Sequence, residues 1–489
     1  MNKTIRWISL SLAAMLCLAC AEDQDNTYPE DTQHKALEAW MRQNRPHLLE
    51  NYQEDGGYYV DVIAVGDLAD TALRETEAWV RYDITGRDLQ GNVCLTRDSI
   101  LALQQGTFTR YTHYVPYFQF SDELSGTEFR EGVHLSMRNV LTLGEKYAAE
   151  RGLPREVELR KDAQVVLYMP ATVVSTGSVN GDGGYEGQYQ LSANHPLIAW
   201  LDVKERVRNP VESEGLAVDA FAEANGRLDP TLPDTPEESA AGAEPGGYTW
   251  RIASEEAAQV YYNTSFSPLS DGQGLFAYTD PYVGSQQRAD EIDRRINRAL
   301  VERFGTDAPG KLIDPEKTVR VWYIARFLDG FVQSTNIDEV KQIVYGEVEK
   351  DGVAMSYNPS VNKSAQIAAW YYALPYFRYG QWGALLTTSS NAYGSNGIVG
   401  TTQTDSSTDY TATYALMNYY GMMNSYYGGS NYYDRYNYYD NFYGNYMDGL
   451  YNASVNNSYN ADASATTTVV TEVLPFTPLL IEFYIEPES

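Results

Sequence analysis

The sequence predicts an α+β protein of two domains, each built on an antiparallel sheet. Three observations carry this. The chain has 489 residues, more than one hydrophobic core ordinarily serves. Short β-branched and aromatic runs alternate with stretches of helical periodicity. One acidic, Pro- and Ala-rich segment, residues 209–247, divides the chain near its middle.

The elements follow in order. Lys3 and Arg6 precede an apolar run, residues 7–19, which is shorter than the roughly 20 residues a membrane-spanning helix needs. A charged start followed by a short apolar stretch reads as a secretory signal. Its end, Cys17-Leu18-Ala19-Cys20, resembles a lipobox, with Cys17 where Leu is usual. That resemblance implies cleavage after residue 19 and lipid on Cys20. Ordinary signal cleavage to a soluble periplasmic protein is the alternative. The run Ala21-Glu22-Asp23-Gln24-Asp25 resembles the surface-export signal of Bacteroidetes lipoproteins, and residues 20–30 read as a tether.

The first domain is expected over 31–208. Leu37, Trp40 and Met41 share a helical face, predicting a helix over 32–44 that Pro46 interrupts. Strands are predicted at 58–63, 77–84, 164–169 and 197–203, with a helix over 133–151. Within the divider, 213–225 predicts a short helix, and DPTLPDTPEESAAGAEPGG (229–247) is the clearest linker. The second domain is expected over 248–489. Ile292, Ile296, Leu300 and Phe304 recur at helical spacing. Strands are predicted at 318–326, 382–388 and 479–485, and a helix over 364–377. Residues 404–466 hold 15 of the 41 tyrosines and a single basic residue, Arg435. A low-complexity insertion and an ordered, partner-packing loop are both open readings.

Composition excludes several function classes. A net charge of −30 argues against nucleic acid, whose phosphates demand Lys and Arg, and suits a solvated cell-surface protein. Once Cys17 leaves and Cys20 is acylated, Cys94 is the lone thiol, so no internal disulfide is expected. The five histidines stand at no zinc-binding spacing, and neither a nucleophile elbow nor a phosphate loop occurs. No metal and no cofactor are expected.

Three segments, taken in order, resemble the FKBP-type peptidyl-prolyl isomerases. They are RVWYIARFLDG (320–330), QIAAWYYALPYFRYGQWGALLTTSSNAYG (366–394) and LPFTPLLIEFYIE (474–486). They follow the family's Y-x-G-x-L-x-D-G strand, its short Trp-bearing helix, its A-Y-G turn and its closing I-P…F-D-V-E-L. A fainter copy runs through the first domain at Ile84–Gly91, Lys161–Gly177 and Leu201-Asp202-Val203. The resemblance implies two FKBP-like domains, each an antiparallel sheet around a short helix, with an added helix before each (32–44 and 290–304). In the second domain it places Tyr323, Trp370 and Tyr393 in the catalytic roles of strand tyrosine, pocket floor and hydrogen-bond donor. Ile367, Leu474 and Ile481 take the substrate-binding wall and roof.

The departures are specific. The family's F-D pair becomes Gln333-Ser334, and its wall Phe becomes Ile481. In the first domain F-D falls on Cys94-Leu95, and Val133 or His134 stands where the floor Trp should be. Asp329-Gly330 is turn chemistry. The reading is a lipoprotein anchored to the outer membrane by lipid on Cys20 and exposed on the cell surface. Its FKBP-like domains would bind an outer-membrane protein complex or exported client polypeptides. An active prolyl isomerase is the alternative, and a sugar-stacking nutrient binder is a third reading.

Overall fold

The computed structural model describes residues 29–74, 78–120, 131–170, 196–229, 249–253, 257–268, 286–305, 309–346, 352–358, 366–398, 401–405 and 466–488. The signal, Cys20, the tether up to residue 28, the linker over 230–248 and the tyrosine-rich insert over 406–465 lie outside them.

The first domain begins with helix α1 (Pro29–Asn44) and a 3-10 turn (Pro46–Asn51) placed by Pro46. Its strands are β1 (Tyr52–Gln53), β2 (Tyr58–Val65), β3 (Trp79–Arg87), β4 (Val93–Thr96) and β5 (Tyr117–Phe120). A two-stranded ladder, β6 (Leu141–Thr142) with β7 (Glu156–Val157), precedes β8 (Ala163–Met169) and β9 (Leu197–Val207). The main sheet runs β1-β2-β8-β9-β3-β4, with β5 also on β3, and its named pairs are antiparallel. Burial alternates strictly along β3, so one face is core and the other meets solvent. Trp200 and Ile63 lie on the solvent face, 52% and 45% exposed.

Helix α2 (Ser99–Gln105) follows β4, capped by Asp98, whose carboxylate accepts from the Ile100 and Leu101 amides. The continuous helix expected over 133–151 is two short ones, α3 (Glu131–Arg138) and α4 (Glu145–Arg151). The interruption has a cause. Leu141 and Leu143 are fully buried, and β6 is drawn into its ladder between the two helices.

The second domain starts earlier than expected. Helix α3 and α4 are followed, beyond β9, by α5 (Pro210–Ala224), with Pro210 at its first turn and Asn209 capping Glu212 N. Strand β10 (Arg227–Asp229) then pairs in parallel with β11 (Thr249–Ile252). Val218 and Ala222 are fully buried against the second sheet, so residues 210–229 belong to that domain rather than to a linker.

The remaining strands are β12 (Val260–Asn263), β13 (Val319–Arg326), β14 (Val332–Thr335), β15 (Met355–Tyr357), β16 (Trp382–Thr387), β17 (Thr401–Asp405), β18 (Thr466–Val470) and β19 (Leu479–Ile485). The sheet order is β10-β11-β12-β16-β19-β13-β14, with β15 on β13. Strands β17 and β18 pair separately and bring the two ends of the tyrosine-rich insert together.

The helix at 290–304 is α6 (Gln286–Phe304), and it lies between β12 and β13 rather than before the sheet. Together with α5 and α7 (Asp338–Tyr345) it covers one face, packing Ile296, Leu300, Val340 and Val344 on Trp322, Ile324 and Leu386. The other face holds α8 (Ala368–Ala373). Both faces are therefore buried, which explains why β16 and β19 are buried at every position.

The two domains share a five-strand core. The order β2-β8-β9-β3-β4 in the first matches β12-β16-β19-β13-β14 in the second. Both also carry a one-residue irregularity at the same place. Gly86 pairs with Leu95 and Arg87 with Val93, leaving Cys94 extra; Ala325 pairs with Ser334 and Arg326 with Val332, leaving Gln333 extra. The α+β class and the two antiparallel sheets are as the sequence predicts. Among the described residues no helix is long and apolar enough to cross a membrane.

Candidate functional site

The site forms where α8 crosses the inner face of the second sheet. Pro375 limits α8 to a short helix, continued by a 3-10 turn (Leu374–Tyr376). That brevity presents Trp370, 3% exposed, to the sheet beneath. Its ring meets Phe483 edge-on at 5.1 Å and Tyr323 at 6.3 Å, both near-perpendicular geometries that aromatic pairs favour. Ile367, immediately before the helix, and Ile481 on β19 are buried in the same cluster, with Tyr323 and Tyr393 half-buried against it.

The structure thus brings together Tyr323, Trp370, Tyr393, Ile367 and Ile481. Leu474 is half-buried and is not packed into the cluster; Val473 beside it is, pinned by mutual backbone hydrogen bonds with Ile398. Leu474 therefore belongs to the rim. Phe483 is the wall residue that sequence reasoning missed. Its signal was available, because it stands two places beyond Ile481 on the same strand face.

The irregularity between β13 and β14 sets the polar chemistry. An extra residue turns neighbouring side chains of a strand toward the same side. Here Ser334 Oγ donates to Gln333 Oε1 at 2.6 Å, and the Tyr323 hydroxyl is hydrogen-bonded to Ser334. Gln333-Ser334 occupies the positions where the resembled family has F-D. Gln333 and Ser334 thus place a neutral hydrogen-bonded pair beside Tyr323. Burial raises the pKa of Tyr323, and the Ser334 bond only partly opposes it. Burial raises that of Tyr393 as well, with the neighbouring Tyr323 adding to it. Both phenols stay neutral hydrogen-bond donors at physiological pH.

The Tyr393 turn is held from two sides. The amides of Ala392 and Gly394 both donate to Ser389 O, at 2.8 and 2.7 Å. Gly394 takes φ +67°, where a side chain is strained, and its carbonyl accepts from Phe476 N. Phe476 itself sits at φ +52°. Its ring lies edge-on to Trp79 of the first domain at 4.8 Å, beside Phe118. The domains meet again at Arg97–Glu472 (2.5 Å), and His113 stacks on Phe327 (4.6 Å) while bonding Asp329 (2.6 Å).

The equivalent place in the first domain is apolar. Ile84, Cys94, Leu95 and Val133 are buried in one core cluster, with Val133 and His134 where the second domain has Trp370. Burial pushes the Cys94 thiol up to about 12, so it stays protonated and inert. His134, the other floor candidate, is buried on α3. Among the described residues no group of His, Cys, Asp and Glu could hold a metal ion.

No family model matches the chain, and no curated protein is significantly similar to it. Solved structures are similar at low identity. The three FKBP domains of wheat FKBP73 align at 9% identity with a TM-score of 0.20, over 89% of this chain and 95% of that one. FkpA from Escherichia coli aligns at 12% and 0.22, over 42% and 74%. A peptidyl-prolyl cis-trans isomerase from Pseudomonas syringae aligns at 12% and 0.21, over 37% of this chain and 99% of that one.

Proposed function

We propose that this chain is an outer-membrane surface lipoprotein whose second domain holds exported polypeptides or a membrane-complex subunit on an FKBP-like aromatic site. The observation that carries this is the Gln333-Ser334 relay beside Tyr323. An X–Pro bond isomerises across roughly 18–20 kcal/mol because amide resonance opposes twisting. A site that lowers this barrier must favour the twisted amide over the planar one. Trp370, Ile367 and Ile481 supply a dry apolar surface, and Tyr323 and Tyr393 supply neutral donors. These features bind an apolar, proline-bearing segment. The carboxylate that the family pattern places against the amide is missing, so binding exceeds catalysis. The first domain, with its apolar centre, serves as scaffold.

The lipobox-like Cys20 supports anchoring, and the strongly acidic surface suits exposure to solvent. The second reading, an active prolyl isomerase, is favoured by one observation: Tyr323, Trp370 and Tyr393 converge as that chemistry needs. A proline-limited refolding assay with the chain from Ala21 onward separates the two. The expected result is client binding at micromolar protein with refolding not accelerated. Clear acceleration, lost in Tyr393→Phe and Trp370→Leu, would establish the isomerase reading instead.

A further inference from the structure

Helix α5 reaches the site through one buried side chain. Glu214 is 5% exposed, and its carboxylate accepts from both Ser389 N and Ser389 Oγ, the latter at 2.8 Å. Ser389 is also the residue whose carbonyl gathers the Ala392 and Gly394 amides, the two neighbours of Tyr393. A carboxylate on one element therefore pins the turn that aims Tyr393, 175 positions away in sequence.

The surroundings offer this carboxyl little else. On the turn and the end of β16, Thr388 Oγ1 and Ser390 Oγ are engaged with Gln259 Oε1, at 2.7 and 2.9 Å. On its own helix Asp219 is taken by the Tyr261 hydroxyl at 2.6 Å. What acts on the Glu214 carboxyl is burial and the two Ser389 donors, and burial prevails, raising it to about 7.

We infer that Glu214 is a positioning residue for Tyr393, and that its ionised form, by gripping Ser389 through both donors, sets client affinity at the second-domain site. This rests on reading that site as client-binding. Near neutral pH the two forms of the carboxyl exchange. The charged form makes two charge-assisted bonds to Ser389; the protonated form accepts less well and loosens the turn.

The test uses the full mature chain, Glu214→Gln and Glu214→Ala. The probe is reduced, carboxymethylated α-lactalbumin, a permanently unfolded polypeptide. A fluorotyrosine placed at position 393 reports the turn by ¹⁹F NMR without any client. Expected for the parent chain is an affinity several-fold weaker at pH 6 than at pH 8, with a parallel ¹⁹F shift. Glu214→Gln, which keeps an acceptor and cannot titrate, should be flat in both readouts. Glu214→Ala should bind about tenfold more weakly at pH 8. A pH-dependent ¹⁹F signal that Glu214→Gln abolishes, with no client bound at any pH, upholds the positioning role and defeats the client reading. Client binding with both readouts independent of pH, or with the parent slope kept in Glu214→Gln, overturns the inference.

Discussion

A buried ion cluster on the outer face of the second sheet gives the sharpest energetic prediction. Arg326, 2% exposed, donates through Nε to Glu482 Oε2 at 2.8 Å and through Nη1 to Asp293 Oδ1 at 3.4 Å and Gly330 O at 3.2 Å. It ties β13 to β19, to α6 and to the Asp329-Gly330 turn. Glu482→Leu removes the shortest partner and leaves a buried guanidinium with one longer-range carboxylate. Stranding one member of such a pair costs about 3–5 kcal/mol, and the remaining Asp293 places this case near 3. With a urea slope of about 1–3 kcal/mol/M, the unfolding midpoint should fall by about 1–3 M. Replacing all three groups by apolar residues of similar volume (Arg326→Met, Asp293→Leu, Glu482→Leu) should recover most of that loss, because no charge is left buried. The fluorescence of Trp322 and Trp382, both in the core layer beside the cluster, follows the transition. A loss under about 1 kcal/mol in the single variant, or no recovery in the triple, would refute the reasoning.

Other expectations follow from single contacts. Cys20→Ala should move the protein from the membrane fraction to the soluble one, read by fractionation and immunoblot. Asp98→Ala removes the cap of α2 and should cost about 1 kcal/mol in urea unfolding of the first domain. Glu214 holds its proton in the folded chain up to about pH 7 but releases it near 4.5 when unfolded, so stability should fall as pH rises across that window, by at most about 3 kcal/mol. Glu214→Gln should abolish that slope in a pH series of thermal melts. Trp79→Ala should loosen the first domain from Phe476 and speed limited proteolysis between the domains, an edge-on aromatic pair being worth about 0.5–1.5 kcal/mol beyond its buried area.

The legible parts of the fold were those with a period. β3 alternates because one face is wet, and α6 repeats apolar residues along one stripe because the opposite side is wet, so both announce themselves. The short helices α3, α4 and α8 were less legible. Their ends are set by tertiary demands: the burial of Leu141 and Leu143, and Pro375. The acidic divider misled about its first half, since nothing local in the sequence shows that Val218, Ala222 and half-buried Phe221 of α5 pack against the second sheet. Sequence order singled out Tyr323, Trp370 and Tyr393, which the fold brings into one cluster, because motif spacing is preserved on a fixed set of strands. Glu214 and His113 were invisible to it. Each acts across a long separation in sequence, and neither stands in any local pattern.

The same five-strand order is packed differently in the two halves. Among the described residues the first sheet is covered on one face, and its core includes Ile84, Leu95 and Val133. The second is clasped on both faces, with α5, α6 and α7 outside and α8 within. A doubly covered sheet is a rigid support, so the side chains projecting from β13 and β19 toward α8 have little freedom to repack. Tyr323 and Tyr393 pack half-buried against that apolar cluster. The outer helices also reach through the sheet's edge, since Glu214 on α5 restrains the very turn that carries Tyr393. The added helices of the second domain are therefore part of what positions its site, and removing α5 should harm the Tyr393 turn more than it harms the sheet.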